Sequence, residues 1–306
     1  MSTTDWIAVD WGTSHMRAWA MTASGDILQR AASDKGMGSL SPDQFEAALL
    51  EQIEPWLRDN VLMPVLACGM VGARQGWCEA PYTQVPCTPL AADQMVKPDV
   101  KDARIAVHII PGLCQQGPAD VMRGEETQIA GFMAEHPHFV GVLCLPGTHC
   151  KWADLRDGKV LRFHTYMTGE LFALLSQQSV LRHGMQQDAA QGMDEAVFLQ
   201  AVNEAFQQPQ QLSSALFGLR AAGLLQGLGA AAARARLSGL LIGNELAAAA
   251  PLWQGHAVSI IGDKGLSALY AKALQAQGIP VATVSAEQIT LNGLRAAWQQ
   301  LARSGS

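Results

Sequence analysis

One pattern occurs twice in this chain, and the repetition limits the folds open to it. Residues 6–11 form a short apolar run that carries Asp10 near its end. Gly12-Thr13-Ser14 follows, then a stretch to Met21 that reads as a return strand. Ser24-Gly25-Asp26 is a turn signal, and Ile27–Ala31 resumes the pattern. Three short strands joined by tight turns are the economical reading. The same unit returns at 139–166: an apolar strand, the turn Gly147-Thr148-His149, a return strand, the turn Asp157-Gly158 and a third strand. Gly147 follows Gly12 by 135 residues. A repeat at this spacing predicts two α/β domains of similar fold, each opening with a three-stranded meander. The 306 residues also suit two domains. The polar stretch Glu135-His136-Pro137-His138 puts the division near residue 133, giving domains of 1–133 and 134–306.

The remaining pattern is mixed. Ser41, Pro42 and Gln44 make a capping box for a helix over 41–58, with Phe45, Leu49, Ile53 and Leu57 on one face. Buried strands are expected at 61–67 and 105–110, and a helix at 125–134. Further helices are expected at about 170–182, 193–206, 212–233 and 236–250. A strand–helix–strand–helix unit closes the chain from residue 256.

Apolar residues make up 49% of the chain and charged residues 16%, so each half can build a core. The formal charge of −6 argues against nucleic acid or an anionic membrane as the main partner. None of the six cysteines forms a C-x-x-C pair, which predicts buried thiols in a reducing compartment. No charged-then-apolar leader and no run near ~20 apolar residues is present, so the cytoplasm is the expected location.

Three elements carry chemistry. In the first, a strand ends in a carboxylate and a turn offers backbone amides and hydroxyls. Gly12, Thr13 and Ser14 can hold phosphate oxygens, and Asp10 can hold Mg²⁺ through its waters. A plain hairpin reads the same way in isolation. In the second, Gly147, Thr148 and His149 occupy the equivalent turn of the other half, with Leu145 where Asp10 stands. Two such hairpins can clamp a polyphosphate. In the third, the strand Ile260-Ile261 runs into Gly262-Asp263-Lys264-Gly265 and a helix start that includes Ser267, a turn on which a flat ring can lie. Ser238–Asn244 places Gly239 and Gly243 on one helix face, leaving room for an adenine or for a close helix contact.

These elements, in this order, resemble the sugar kinase–actin–heat-shock ATPase superfamily. That resemblance implies two ribonuclease-H-like domains with ATP in an interdomain cleft. A closer resemblance rests on eight blocks: Asp10–Ser14, Gly69–Gly72, Gly76-Trp77 with Ala80–Tyr82, Ile110–Leu113, Val121–Gln128, Pro146–Trp152, Met167–Leu171 and Ser238–Gly243. Together they look like the 2-dehydro-3-deoxygalactonokinases. The implied reaction is transfer of the ATP γ-phosphate to the 6-hydroxyl of 2-dehydro-3-deoxy-D-galactonate. A kinase for another acidic sugar and a non-catalytic actin-like nucleotide-binding regulator are the alternatives. Asp263-Lys264 departs from the small residues expected after Gly262.

In related sugar kinases a carboxylate near the end of the first domain accepts the hydroxyl proton. Glu125 and Glu126 occupy that place, with Glu125 first in the helix and Asp120 an outside candidate. Acids at a helix N-terminus also stabilise the dipole with no other role. An anionic sugar calls for an arginine fork. Arg123 is the first choice and Arg17 the second. Trp77 is either a sugar contact or a buried anchor, and Lys151 either reaches a ligand or is solvated on its strand. Thr168 and Glu170 either close the substrate pocket or cap a helix. Expected ligands are thus ATP, Mg²⁺ and a small acidic sugar, with a homodimer left open.

Overall fold

The computed structural model describes residues 3–186 and 193–304. The described chain divides into two compact units, one of residues 3–139, 156–162 and 286–304, the other of residues 140–155 and 163–285.

The first unit is built on the opening meander. Strands β1 (Trp6–Trp11), β2 (Met16–Met21) and β3 (Ile27–Ser33) pair antiparallel. Helix α1 (Phe45–Ile53) follows, then β4 (Met63–Gly69), β5 (Tyr82–Gln84) and β6 (Ile105–Ile109). Next come β7 (Gly112–Gln116), β8 (Ala119–Met122) and helix α2 (Glu125–Glu135). The main sheet has the order β3-β2-β1-β4-β6, with β4 parallel to β1 and β6 parallel to β4. Successive side chains of β1 alternate between faces. Ile7, Val9 and Trp11 join the α1 side with Phe45, Leu49 and Ile53, whereas Trp6 and Ala8 face a second apolar cluster. Both faces are covered, as the apolar run of β1 requires.

The predicted helix 41–58 is shorter than expected. It opens as a 3₁₀ turn at Pro42–Gln44 and closes as another at Glu54–Trp56, because Pro55 lacks the N–H that would continue the ladder. The small sheet β5-β7-β8 was absent from the sequence reading; strands of three to five residues set among Gly and Pro give little periodicity.

The second unit repeats the plan. Its strands begin with β9 (Gly141–Leu145), β10 (Cys150–Arg156) and β11 (Lys159–Tyr166). Helices α3 (Thr168–Gln177), α4 (Glu195–Gln207), α5 (Leu212–Leu225) and α6 (Ala230–Trp253) follow. Strand β12 (Val258–Gly262), helix α7 (Lys264–Ala276) and β13 (Val281–Ser285) complete it. The sheet order is β11-β10-β9-β12-β13, with β12 parallel to β9 and β13. Both main sheets therefore have a meander followed by two parallel strands. The break expected near 234 lies earlier, at Gly227-Leu228-Gly229, where Gly227 adopts φ +68°.

The division at 133 needs correction at its far end. The last helix, α8 (Ala286–Ser304), packs on α2 in the first unit rather than staying with the second. Two glycines permit this. A Cβ on Gly131 would lie 2.0 Å from the Ile289 carbonyl, and one on Gly293 would lie 1.9 Å from the Thr127 carbonyl. The helices touch backbone to backbone, and Trp298 stacks on Trp6 at 5.0 Å. The near end also moves: Phe139 stays with the first unit, edge-on to Phe132 at 4.9 Å.

Candidate active site

In the first unit, the cross-strand register places Arg17 opposite Asp10, and its Nη2 donates to Asp10 Oδ2 at 2.5 Å. Arg17 also lies 3.9 Å from Glu287. Its guanidinium is thus engaged with carboxylates of its own unit. Thr13 and Ser14 are exposed. Their turn is braced from behind: Met37 N donates to Gly12 O at 3.0 Å and Gly38 N to Thr13 O at 2.8 Å. A Cβ on Gly36 would stand 2.3 Å from the Thr13 carbonyl oxygen, so only glycine allows that brace.

Two further glycines bring α2 to the end of β1. Gly69 has φ +90°, and a Cβ there would strike the Trp11 carbonyl at 2.6 Å. Gly124 has φ +103°, and its Cβ would meet Gly69 Cα at 3.3 Å. The two acids at the start of α2 then separate in environment. Glu126 is fully buried; Gly124 N donates to its Oε2 at 2.6 Å and Thr127 Oγ1 to its Oε1 at 2.9 Å. Burial, and secondarily the charge of Glu125, pushes its pKa up to about 7. Glu125 is half-buried and accepts a hydrogen bond from Arg123 N at 3.1 Å. Cys68 sits among Asp10 and Glu126, and burial first, then those charges, raises its thiol pKa well above the ordinary value. Asp120 lies apart on β8, opposite Gln115.

The raised pKa of Glu126 has a consequence for stability. A carboxyl whose folded pKa exceeds its unfolded value stabilises the fold with its proton on. That contribution is fully present below about pH 4.5 and is lost as pH rises through about 7. The span corresponds to roughly 3 kcal/mol. Urea midpoints measured at pH 5 and pH 8 should fall with rising pH in the native chain. In Glu126→Gln they should fall distinctly less; parallel slopes in the two proteins would contradict this assignment.

Arg123 is buried. Its Nη2 donates to the Ala80 carbonyl at 2.8 Å, and its guanidinium lies 4.3 Å above the Tyr82 ring. Nε and Nη1 have no hydrogen-bond partner among the described residues. Gly72 leaves the space for Nη1, since a Cβ there would approach it to 2.9 Å. A buried guanidinium with two nitrogens unpartnered among the described residues is costly unless an anion completes it. Trp77 packs near Trp11 (6.4 Å) and Phe45 (6.3 Å), which favours its reading as an anchor for the loop.

In the second unit, the turn Gly147-Thr148-His149 is docked on the start of α3. Glu170 N donates to Thr148 O at 2.9 Å, and a Cβ on Gly169 would lie 2.3 Å from the Gly147 carbonyl. His149 Nε2 and Glu170 Oε2 are 2.6 Å apart. Glu170 thus meets the turn through both its backbone N–H and its carboxylate. Lys151 is buried on β10, which removes the solvated one of its two readings, and donates to Thr165 Oγ1 at 3.1 Å.

Beside this turn lies a cavity of about 400 Å³, lined among others by Thr148, Thr168, Phe172, Arg234, Ser238 and Tyr270. The Arg234 guanidinium is 5.3 Å from the Phe172 ring centre. Gly243 is not part of it: a Cβ there would lie 2.3 Å from the Val202 carbonyl, so Gly243, like Gly239, serves the α4–α6 crossing. Asp263 is turned to capping, accepting from Gly265 N and Leu266 N at 2.9 and 3.0 Å. Ser267 Oγ is buried without a partner among the described residues, beneath Gly262, where a Cβ would crowd it to 2.6 Å.

One buried group escaped the sequence reading. Glu245 on α6 accepts from Trp152 Nε1 and the Tyr270 hydroxyl, both at 2.7 Å, and from Thr168 and Cys150. Burial raises its pKa. It ties α6, β10, α7 and α3 together beneath two cavity residues. A lone acid within the apolar run of α6 was the available signal.

Among the described residues no cluster of three or more His, Cys, Asp or Glu can hold a metal. Asp10 is a single carboxylate beside a phosphate-type turn. That fits a Mg²⁺ whose remaining ligands are waters and nucleotide oxygens, and does not fit an all-protein cage.

Comparison with known proteins places this geometry in a family. The family model described as 2-keto-3-deoxy-galactonokinase matches residues 10–297. The Rhizobium meliloti (strain 1021) protein named "Probable 2-dehydro-3-deoxygalactonokinase DgoK1" is 39% identical over 296 residues, covering 95% of each chain. The Escherichia coli (strain K12) 2-dehydro-3-deoxygalactonokinase is 35% identical over 300 residues, covering 96% of this chain and 97% of that one. The crystal structure of a Sinorhizobium meliloti protein assigned as a 2-dehydro-3-deoxygalactonokinase superposes with TM-score 0.89 at 37% identity, covering 97% and 99% of the two chains. Component A of the (R)-2-hydroxyglutaryl-CoA dehydratase of Acidaminococcus fermentans shares the fold alone, with TM-score 0.51 at 12% identity, covering 97% and 98% of the two chains. The repeated sheet, the paired glycine turns and these matches agree: the chain belongs to the 2-keto-3-deoxy-galactonokinase family and has the actin-like ATPase fold.

Proposed function

We propose that this chain transfers the γ-phosphoryl group of ATP to the 6-hydroxyl of 2-dehydro-3-deoxy-D-galactonate, yielding 2-dehydro-3-deoxy-6-phospho-D-galactonate and ADP. Family membership supports the reaction, and one observation carries the substrate class: Arg123, a buried cation with two unpaired nitrogens, stands two residues before Glu125. An acidic sugar supplies the anion that this guanidinium lacks, and a neutral sugar does not.

The roles follow from chemistry. Phosphoryl transfer needs positioning, charge neutralisation and a proton acceptor. Glu125, half-exposed and oriented by the Arg123 amide, takes the proton of the 6-hydroxyl as that oxygen bonds to phosphorus. Glu126, sealed in the interior, holds the α2 N-terminus instead. Thr13 and Ser14, and likewise Gly147 and Thr148, have the turn chemistry that donates to phosphate oxygens. The cavity beside Thr148 takes the adenosine, with its base near Arg234 and Phe172. Mg²⁺, when bound with the nucleotide, supplies charge neutralisation at the phosphates, and Asp10 is the carboxylate that would hold it. The six free thiols support a cytoplasmic setting, and among the described residues no helix is long and apolar enough to cross a membrane.

Coupled ADP release tests the proposal, with Mg²⁺-ATP and either the galactonate compound, its gluconate epimer or no sugar. Turnover with the galactonate compound is expected. Turnover with the epimer alone moves the assignment to another acidic-sugar kinase, and ATP binding without turnover moves it to the regulator. Arg123→Lys keeps the charge and loses the fork. It should raise KM for the sugar acid at least about 10-fold while KM for ATP changes little. An unchanged sugar KM would remove Arg123 from the substrate site.

A further inference from the structure

Helix α5 is a surface helix with two apolar stripes, and only one meets the core. Leu212, Ala215, Leu216 and Leu219 pack into a cluster with Leu181, Met185 and Leu240. Phe217, Ala221, Leu224 and Leu225, spaced four, seven and eight residues from the first, form the other stripe and face away from it. Phe217 is 66% exposed, Leu224 66% and Leu225 84%. Arg220 is the one charged residue in the 14-residue helix. A helix apolar around most of its circumference normally belongs in an interior.

The patch extends beyond α5. The 3₁₀ helix Val180–Gly184 packs against both α5 and α3. It adds exposed Val180, and α3 adds exposed Leu171 and Leu174. A groove of about 330 Å³ opens beside the stripe, lined by Leu181, His183, Leu219, Arg220, Leu224 and Leu228 among others.

We propose that this face binds the same face of a second copy of the chain, forming a two-fold symmetric dimer. An apolar projection, Leu225, stands beside a groove of mixed lining, in which Leu219, Leu224 and Leu228 are joined by His183 and Arg220. A two-fold axis through that surface inserts each projection into the partner's groove, the self-complementary arrangement that closes at two subunits. Gly218 and Gly223 have open space where a Cβ would stand, so a second α5 can approach closely. The exposed apolar side chains amount to on the order of 500 Å², which suits the centre of a stable interface of about 800 Å² per partner. The surface has no cluster of basic residues on α5 to draw it to an anionic membrane, and the chain as a whole carries −6.

Sedimentation analysis of the full chain at micromolar concentration tests this. The expected particle contains two chains of 32.7 kDa each. The double variant Phe217→Glu, Leu225→Glu should sediment as a monomer, with association weakened at least about 100-fold. Both positions are exposed, so the variant should keep the native circular dichroism, Tm and ADP release. A monomeric native chain overturns the proposal, as does a variant that remains dimeric. Open-ended association overturns it too, because it marks a contact that does not close. So does binding of a monomeric native chain to phosphatidylglycerol vesicles that the variant loses.

Discussion

Replacing Glu125 by Gln lowers kcat at least about 10²-fold and leaves the fold and the KM for ATP close to native. The carboxamide has nearly the same shape and can still accept the Arg123 amide through its oxygen, so the helix start survives. What it cannot do is take a proton from the 6-hydroxyl as the bond to phosphorus forms. General-base catalysis contributes about 10²–10⁴-fold, and the loss should fall in that range, expressed in kcat because the proton moves only in the transition state. Glu126→Gln should behave differently. Its larger effect should be on stability and pH dependence, since its oxygens are taken by Gly124 and Thr127. Equal kcat for native and Glu125→Gln would exclude Glu125, and a larger kcat loss at Glu126 with unchanged stability would exchange the two roles.

The second large effect is expected far from the reacting atoms. Gly293→Ala places a methyl where the Thr127 carbonyl stands, 1.9 Å from its oxygen. Alanine is favoured over glycine in a helix interior by about 1 kcal/mol, which argues for stabilisation. The clash is with backbone, however, and forcing a methyl into a packed contact costs typically 1–3 kcal/mol, more where nothing can yield. The steric cost should win, with Tm lowered by about 5 °C. Thr127 also holds Glu126, so kcat should fall as α8 moves off α2. Gly131→Ala meets the Ile289 carbonyl at 2.0 Å and should act in the same direction. A Tm at or above native for both variants would show that the α2–α8 contact has slack.

These two cases mark where the sequence was legible. The meanders were readable because β1 and β9 are continuous apolar runs, each closed by a glycine turn. Asp10, Thr13 and Thr148 stood out because their chemistry is local to those turns. The division between Glu125 and Glu126 was not readable, because neighbours in a helix point about 100° apart and only the packing decides which one is sealed. Gly243 offered two meanings, and the decisive fact is the Val202 carbonyl, a neighbour about forty positions away. The return of α8 to the first unit and the carboxylate of Glu245 under Thr168 and Tyr270 are likewise long-range. Arg17 sits directly across from Asp10 in the hairpin, so its ion pair was implicit in the strand register.

Product analysis tests the central claim most directly. The purified chain, given Mg²⁺-ATP and 2-dehydro-3-deoxy-D-galactonate, should produce one new phosphate monoester whose phosphorus couples in a ³¹P–¹H NMR correlation to the two protons on carbon 6. One ADP should form per ester. A phosphate on another carbon, or ADP formed without any ester, would contradict the roles given to Glu125 and Arg123.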